Sequence, residues 1–368
     1  MSSDEKGADP VDDQMKDRPT LLGMAAAIAI GFALLVFAAE GVLRIVMPHW
    51  KEFYNGRFMR VIHVPDYGLV ATGRPGFKGY FSQNNGDFRV RLQINEFGFR
   101  NPDPIDKAED RVWFIGDSMA FGWGVEQNEM YSSVVGTLLN VPTYNVASPG
   151  ANACGYQALL ARTLKHASPR AVIVGLILEN DIGDYDCRTD AAKSPADVVQ
   201  PEADVHLTSI SGMKVFLMQK SALYNFFAVS LKRVAFINEA LIRVGLVAKS
   251  HTYKPANTMA GFDRVINRTA GELANLKAQL PAHSPLAVLI APARFEIRDH
   301  DPAFQKVRQK MVRELTARGI AVIDPIKEFL NAGFKPTHFA HDGHWSVLGH
   351  KIAARAVTDW LSRQNIGN

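Results

Sequence analysis

The chain has 368 residues, 47% apolar and 21% charged, enough apolar material for one large domain or two small ones and too much for disorder throughout. Its net charge of +4 is spread along the sequence rather than gathered in a block, so nothing in the charge pattern points to a nucleic-acid partner. Two cysteines, Cys154 and Cys187, are too few for a disulfide scaffold, and their spacing fits no zinc site.

Residues 1–19 are polar and rich in Asp and Lys, which predicts a disordered tail. The composition then changes sharply. Thr20 to Ala39 carries no charge, and Leu21, Leu22, Ile28, Ile30, Phe32 and Leu34 to Phe37 sit among alanines and glycines. About 20 apolar residues span a bilayer as a helix, so 20–47 is predicted to be a transmembrane anchor. The alternatives are a buried soluble helix and a cleavable signal sequence, with Val36-Phe37-Ala38 as a weak cleavage candidate. The apolar core of such signals is ordinarily only about 7–15 residues. Lys16 and Arg18 favour a cytoplasmic amino terminus, although Arg44, Lys51, Arg57 and Arg60 follow the span. A single-pass anchor with the remaining chain on the extracytoplasmic, periplasmic side is the expectation.

Residues 48–110 read as a linker with a small β element. Turn signals stand at Gly73-Arg74-Pro75-Gly76 and Asn84-Asn85-Gly86, and Phe88 to Ile94 alternates apolar with polar. Asn95-Glu96-Phe97-Gly98-Phe99-Arg100 closes the element with a turn. From residue 111 to 368 strands and helices alternate. Strands are predicted at Val112–Ile115, Thr143–Val146, Ala171–Leu178, Leu286–Ala291 and Ile320–Ile323. Helices are predicted near Met130–Leu139, Gln157–His166, Phe262–Leu280, Ala303–Arg318 and Val347–Arg363. Such alternation implies an α/β fold, a parallel sheet covered on both faces. Residues 193–257 interrupt it with a helix-like stretch from Val215 to Val247. This reads as an ordinary helical insertion, or else as a cap over the acyl pocket or a face resting on the membrane.

The chemistry centres on Gly116-Asp117-Ser118, where a buried strand stops at a tight turn. Serine is a poor nucleophile unless a base, usually histidine, is within hydrogen-bond reach and is itself oriented by a carboxylate. His338-Phe339-Ala340-His341-Asp342-Gly343-His344-Trp345 offers both. Asp342 and His344 lie two apart in a loop before the last helix, where both side chains can face one site. Metal ligation is the other reading of this histidine cluster, but no matching cysteines or His/Glu helix motif accompany it, and no metal or cofactor is expected. His350 falls on the final helix and reads as structural. A developing oxyanion needs fixed donors. The candidates are the Ser118 N–H, the Gly150 N–H in the loop after the second strand, and the side-chain amide of Asn180 after the third. Each piece is weak alone. Their order, each after a predicted strand, is the signal.

That ordered set resembles the SGNH (GDSL-type) hydrolase superfamily, over about residues 111–362. The resemblance implies a three-layer α/β/α, flavodoxin-like fold with Ser118 as nucleophile and Gly150, Asn180 and the Ser118 N–H as the oxyanion hole. It implies Asp342 and His344 as the remaining catalytic pair. The usual spacing there is Asp-x-x-His, whereas His341 stands three before His344. The Asp-x-His version resembles alginate O-acetyltransferase-like members. Asn95 to Arg100, Gly124-Val125-Glu126 and the apolar amino-terminal segment are similar to those of membrane-anchored bacterial members. The implied activity is a serine ester hydrolase acting on acyl esters of a carbohydrate or lipid. O-acetyl transfer to a surface polysaccharide and a non-catalytic binding role are the alternatives. Cys154 and Cys187 follow two of the site loops, so a disulfide and two free thiols both remain open.

Overall fold

In the computed structural model, which describes residues 20–83, 86–192, 210–230, 243 and 259–367, the uncharged run forms helix α1, Leu21–Val46. The Thr20 hydroxyl accepts the Gly23 N–H at 3.1 Å and caps it. No residue of α1 is buried, and it is the one helix among the described residues long and apolar enough to cross a membrane. The predicted tail, residues 1–19, lies outside the described residues, as do Asn84 and Asn85 of one predicted turn.

Two antiparallel hairpins follow. Strands β1 (Met59–Val64) and β2 (Gly68–Gly73) form the first, and β3 (Lys78–Ser82) and β4 (Arg89–Gln93) the second. In β4 the alternation seen in the sequence sorts the side chains: Val90 and Leu92 turn inward while Arg89 and Arg91 stay out. The first hairpin has a weaker signature, because Met59 to Val64 lacks a clean period of two. Its turn carries Asp66 and Gly68, both at positive φ. Phe81, Phe88, Val90, Leu92 and Ile94 belong to the same buried cluster as Val112, Phe114 and Trp345, and Val64 and Val70 of the first hairpin to the same cluster as Trp113 and Val172, so both hairpins share the core of the residues that follow.

The rest alternates. Strand β5 (Val112–Gly116) leads into α2 (Ser118–Phe121) and α3 (Tyr131–Leu139). Then come β6 (Thr143–Asn145), α4 (Ala153–Leu164), β7 (Ala171–Ile177) and α5 (Cys187–Ala192). Helices α6 (Ile210–Lys220), α7 (Ala222–Ser230) and α8 (Met259–Ala278) precede β8 (Leu286–Ala291). The chain ends with α9 (Arg294–Arg298), α10 (Pro302–Ala317), β9 (Ala321–Ile323), α11 (Ile326–Ala332), α12 (Phe334–Thr337) and α13 (Val347–Arg363). The five later strands pair in parallel in the order β6-β5-β7-β8-β9. The fold is thus α/β with a five-stranded parallel sheet, and the strand order reverses at β5. Crevices at such reversals, beyond the carboxyl ends of the strands, are where α/β sheets bind ligands.

Side chains alternate across the sheet. Phe114, Ile173 and Leu289 pack on one face with Val135 of α3 and Val357 and Trp360 of α13. Trp113, Val172 and Val288 pack on the other with Leu159 of α4, Leu273 of α8 and Met311 of α10. Burying each such side chain stabilises the fold by about 1.5–3 kcal/mol relative to exposure. Helix α4 begins at Ala153, earlier than the predicted Gln157, because the Asn152 side chain caps it by accepting the Cys154 and Gly155 N–H groups, both at 3.1 Å. The predicted continuous helix from Val215 breaks between α6 and α7, and the remainder of that insertion lies largely outside the described residues. At the break, the Glu40 carboxylate of α1 accepts from Ser221 Oγ and from the Ala222 and Leu223 N–H groups, each at 2.8 Å. An acidic side chain on the first N–H groups of α7 satisfies donors that the helix cannot, and so fastens α7 to α1.

Candidate active site

Strand β5 ends at Gly116. A Cβ there would stand 2.6 Å from Ala120 Cβ and 2.9 Å from the Gly175 carbonyl oxygen, so only glycine lets the strand turn directly into α2. Asp117 caps α2 by accepting the Met119 N–H at 2.9 Å. Ser118 is thereby the first residue of the helix, beyond the carboxyl end of a central strand.

Ser118 Oγ lies 2.8 Å from His344 Nε2, and His344 Nδ1 makes a short hydrogen bond with Asp342 Oδ1. The loop that carries them is pinned at its base. The Phe339 N–H donates to the His344 carbonyl at 2.8 Å, and His338 pairs with Trp345 in an isolated antiparallel bridge. The Trp123 ring stacks on the His344 imidazole at 5.5 Å between centroids. Burial pushes the Asp342 carboxyl up, but the His344 ring and its hydrogen bonds outweigh burial and hold it below the usual carboxylate range.

The β3–β4 hairpin supports this loop. Gln83 Nε2 donates to Asp342 Oδ2 at 2.8 Å. The Asp87 carboxylate accepts the backbone N–H groups of His341 and Asp342, both at 2.9 Å, and meets His341 Nδ1 at 2.7 Å. A second support comes from Arg100, fully buried, whose guanidinium donates to the carbonyls of Gly122 at 2.5 Å and Val125 at 2.7 Å. It holds the loop that follows α2. Sequence reasoning left Gln83, Asp87, Arg100 and Trp123 without a role at the site. The first two lie in a hairpin more than 250 positions from the loop they hold, and no local pattern connects them.

Asp117 does not face the imidazole as a hydrogen-bond partner. Its buried carboxyl takes the Met119 N–H, Asn180 Nδ2 at 3.3 Å and Ser118 Oγ at 3.3 Å, and burial pushes its proton affinity up. Asn180 stands just past β7, its amide turned towards Asp117. Gly150 lies at φ +80° in the loop before α4, with open space where a side chain would be. The Ser118 and Gly150 N–H groups have no acceptor among the described residues. Ser118, Gly150 and His344 open together onto a cleft of about 420 Å³, walled also by Met59, Arg60 and Trp123.

Two nearby histidines, His338 and His350, are engaged elsewhere. His338 contacts Thr337 Oγ1 at 2.9 Å and stacks on Phe334, and His350 Nδ1 accepts the Tyr131 N–H at 3.3 Å. Burial pushes both imidazoles down to about 3, so they are held neutral. Among the described residues no three His, Cys, Asp or Glu side chains converge to hold a metal ion. Cys154 and Cys187 form a disulfide with Cα atoms 5.1 Å apart, tying the first turn of α4 to α5. Of the two open readings of these cysteines, the structure has the bridge.

The chain matches no family model and no curated protein. It is similar to several solved structures. TesA matches with a TM-score of 0.40 and 11% identity over 69% of this chain and 99% of that one. The lipase/acylhydrolase from Enterococcus faecalis matches at 0.39 and 11% over 69% and 96%. A member of the lipolytic protein G-D-S-L family from Veillonella parvula matches at 0.35 and 13% over 69% and 98%. At this level the likeness carries no functional inference, and the side-chain geometry must carry it.

Proposed function

We propose that the chain is a serine ester hydrolase that works through an acyl-enzyme on Ser118. One observation carries this reading: the continuous hydrogen-bonded relay from Ser118 Oγ to His344 to Asp342 at the floor of an open cleft. As Ser118 attacks an ester carbonyl, His344 Nε2 takes the hydroxyl proton, and Asp342, held ionised, orients the ring and stabilises its cation. The carbonyl oxygen, gaining negative charge, is received by the Ser118 and Gly150 N–H groups, with the second amide hydrogen of Asn180 as a third donor. His344 then returns the proton to the leaving alcohol. Water, deprotonated by the same histidine, attacks the acyl-enzyme, and His344 returns that proton to Ser118 Oγ as the acyl–oxygen bond breaks and the acid leaves.

The same proposal places the protein at a membrane, with α1 as a single-pass anchor and the sheet domain on the extracytoplasmic side. Support comes from the length and exposed apolar surface of α1 and from the Cys154–Cys187 disulfide, which suits an oxidising compartment. The test of the catalytic reading is turnover of p-nitrophenyl acetate by the full chain. Ser118→Ala is expected to lose about 10⁴-fold or more in kcat, as removal of a triad member does. Undiminished turnover by that variant would refute the assignment.

A further inference from the structure

The cleft wall carries a positive charge, Arg60, that forms no ion pair among the described residues. Arg60 lines the cleft together with Ser118 and His344, and among the described residues no aspartate or glutamate lines it. The Nε of Arg60 is shielded from solvent and has no hydrogen-bond acceptor among the described residues. A neighbouring cation, Arg74, donates to the Gly56 carbonyl at 3.1 Å and has no carboxylate partner among the described residues either. Elsewhere Arg89 pairs with Glu52, Arg111 with Asp103, Arg294 with Glu179 and Arg308 with Glu296, while Arg57, Arg100 and Arg162, none of which lines the cleft, donate to backbone carbonyls. Buried polar groups are normally satisfied, and a partly buried guanidinium without a counter-ion loses hydration that nothing restores. The planar fork of arginine matches the oxygens of a carboxylate or phosphate.

We propose that Arg60 is an anion subsite, and that the esters this site accepts carry a carboxylate or phosphate close to the scissile acyl group. This inference rests on the ester-hydrolase reading above. It adds that the acylated alcohol is an acidic sugar or a phosphate-bearing alcohol rather than a neutral one. In the bound state the anion pairs with the part of the Arg60 side chain that lines the cleft, and it fixes the ester carbonyl against Ser118 by holding the substrate at a second point.

The test compares kcat/KM of the full chain in nanodiscs on two matched pairs. One pair is an O-acetylated methyl glucuronoside and the corresponding glucoside; the other is O-acetylglycerol 3-phosphate and O-acetylglycerol. The anionic member of at least one pair should be preferred by about tenfold to a hundredfold, the range expected of a charge-assisted hydrogen bond. Which pair shows the preference tells carboxylate from phosphate. In Arg60→Gln the anionic-to-neutral ratio should collapse towards one, and in Arg60→Lys, which keeps the charge without the fork, it should fall between. Added salt should erode the wild-type ratio. No preference in either pair, or a ratio unchanged in Arg60→Gln, would overturn the subsite. Binding of methyl glucuronoside and glycerol 3-phosphate to Ser118→Ala, measured by calorimetry, keeps the two proposals separate. If the wild type turns over no ester, the hydrolase reading fails. The subsite then stands if Arg60→Gln in that background abolishes binding, and falls if no anion binds.

Discussion

At the scale of single residues, the site depends on which carboxylate reaches His344. Asp117 adjoins Ser118 in sequence, yet its oxygens are taken up by the Met119 N–H and by Asn180, and it serves the start of α2. Asp342 meets Nδ1 of the imidazole directly. Asp342→Asn should therefore lower kcat on a p-nitrophenyl ester by about 10⁴-fold, because the amide selects the wrong tautomer. Asp117→Asn should act mainly through lost stability; a larger kcat loss there than at Asp342 would reverse the assignment. The Asp342–His344 pair was legible in the sequence because two residues in a loop can face one point. Gln83 was not, since its partner is set by how a hairpin folds onto the loop. Gln83→Ala should loosen Asp342 and lower kcat by about tenfold with KM little changed, the signature of a positioning residue read by steady-state kinetics.

Among the elements, the sheet was the most legible part, and the hairpins before it the least. Unbroken apolar runs such as Ala171 to Ile177 permit little besides a strand buried on both faces. The segment Asn95 to Arg100 reads as a turn, and the structure gives each end a task. The Asn95 side chain accepts the Phe97 and Phe99 N–H groups at 3.1 and 2.9 Å, folding the turn. Arg100 then passes beneath the loop after α2, where burial pushes its guanidinium down to about 10. That placement needs contacts far apart in sequence, so spacing alone does not reveal it. Arg100→Met leaves the Gly122 and Val125 carbonyls without their donor. It should destabilise the fold by about 2–5 kcal/mol in urea unfolding.

The helix α13 and the loop before it make a separate statement about pH. Burial pushes the His338 and His350 imidazoles down to about 3 in the folded chain, against an ordinary value of 6.5. Both stay neutral when folded, while the unfolded chain takes up protons as the pH falls below about 6.5. Stability should thus decline steadily from about pH 6.5 towards 3, with a slope approaching two protons, and be insensitive to these groups above that range. His350→Gln should remove about one proton of that slope in denaturant titrations at several pH values. An unchanged slope would show that His350 is already charged in the fold.

For the whole molecule, the question is how the domain that holds the candidate site is tied to a helix that makes no core of its own. The tie is Glu40, which caps α7 and pairs with Arg44 at the end of the apolar run. The apolar length of α1 was plain from composition, but this junction was not, because Glu40 and Ser221 are 181 positions apart. Alkaline carbonate should leave the full chain in the membrane pellet, and Glu40→Ala should speed proteolysis around Ser221 without releasing the chain. Recovery in the supernatant would contradict the anchor. The central claim remains that Ser118 is the nucleophile, and the most direct measurement is covalent labelling by a fluorophosphonate, located by peptide mass spectrometry. One adduct per chain on Ser118 is expected, absent in Ser118→Ala and strongly slowed in His344→Ala. No adduct on the active wild type, or an adduct on another residue, would contradict it.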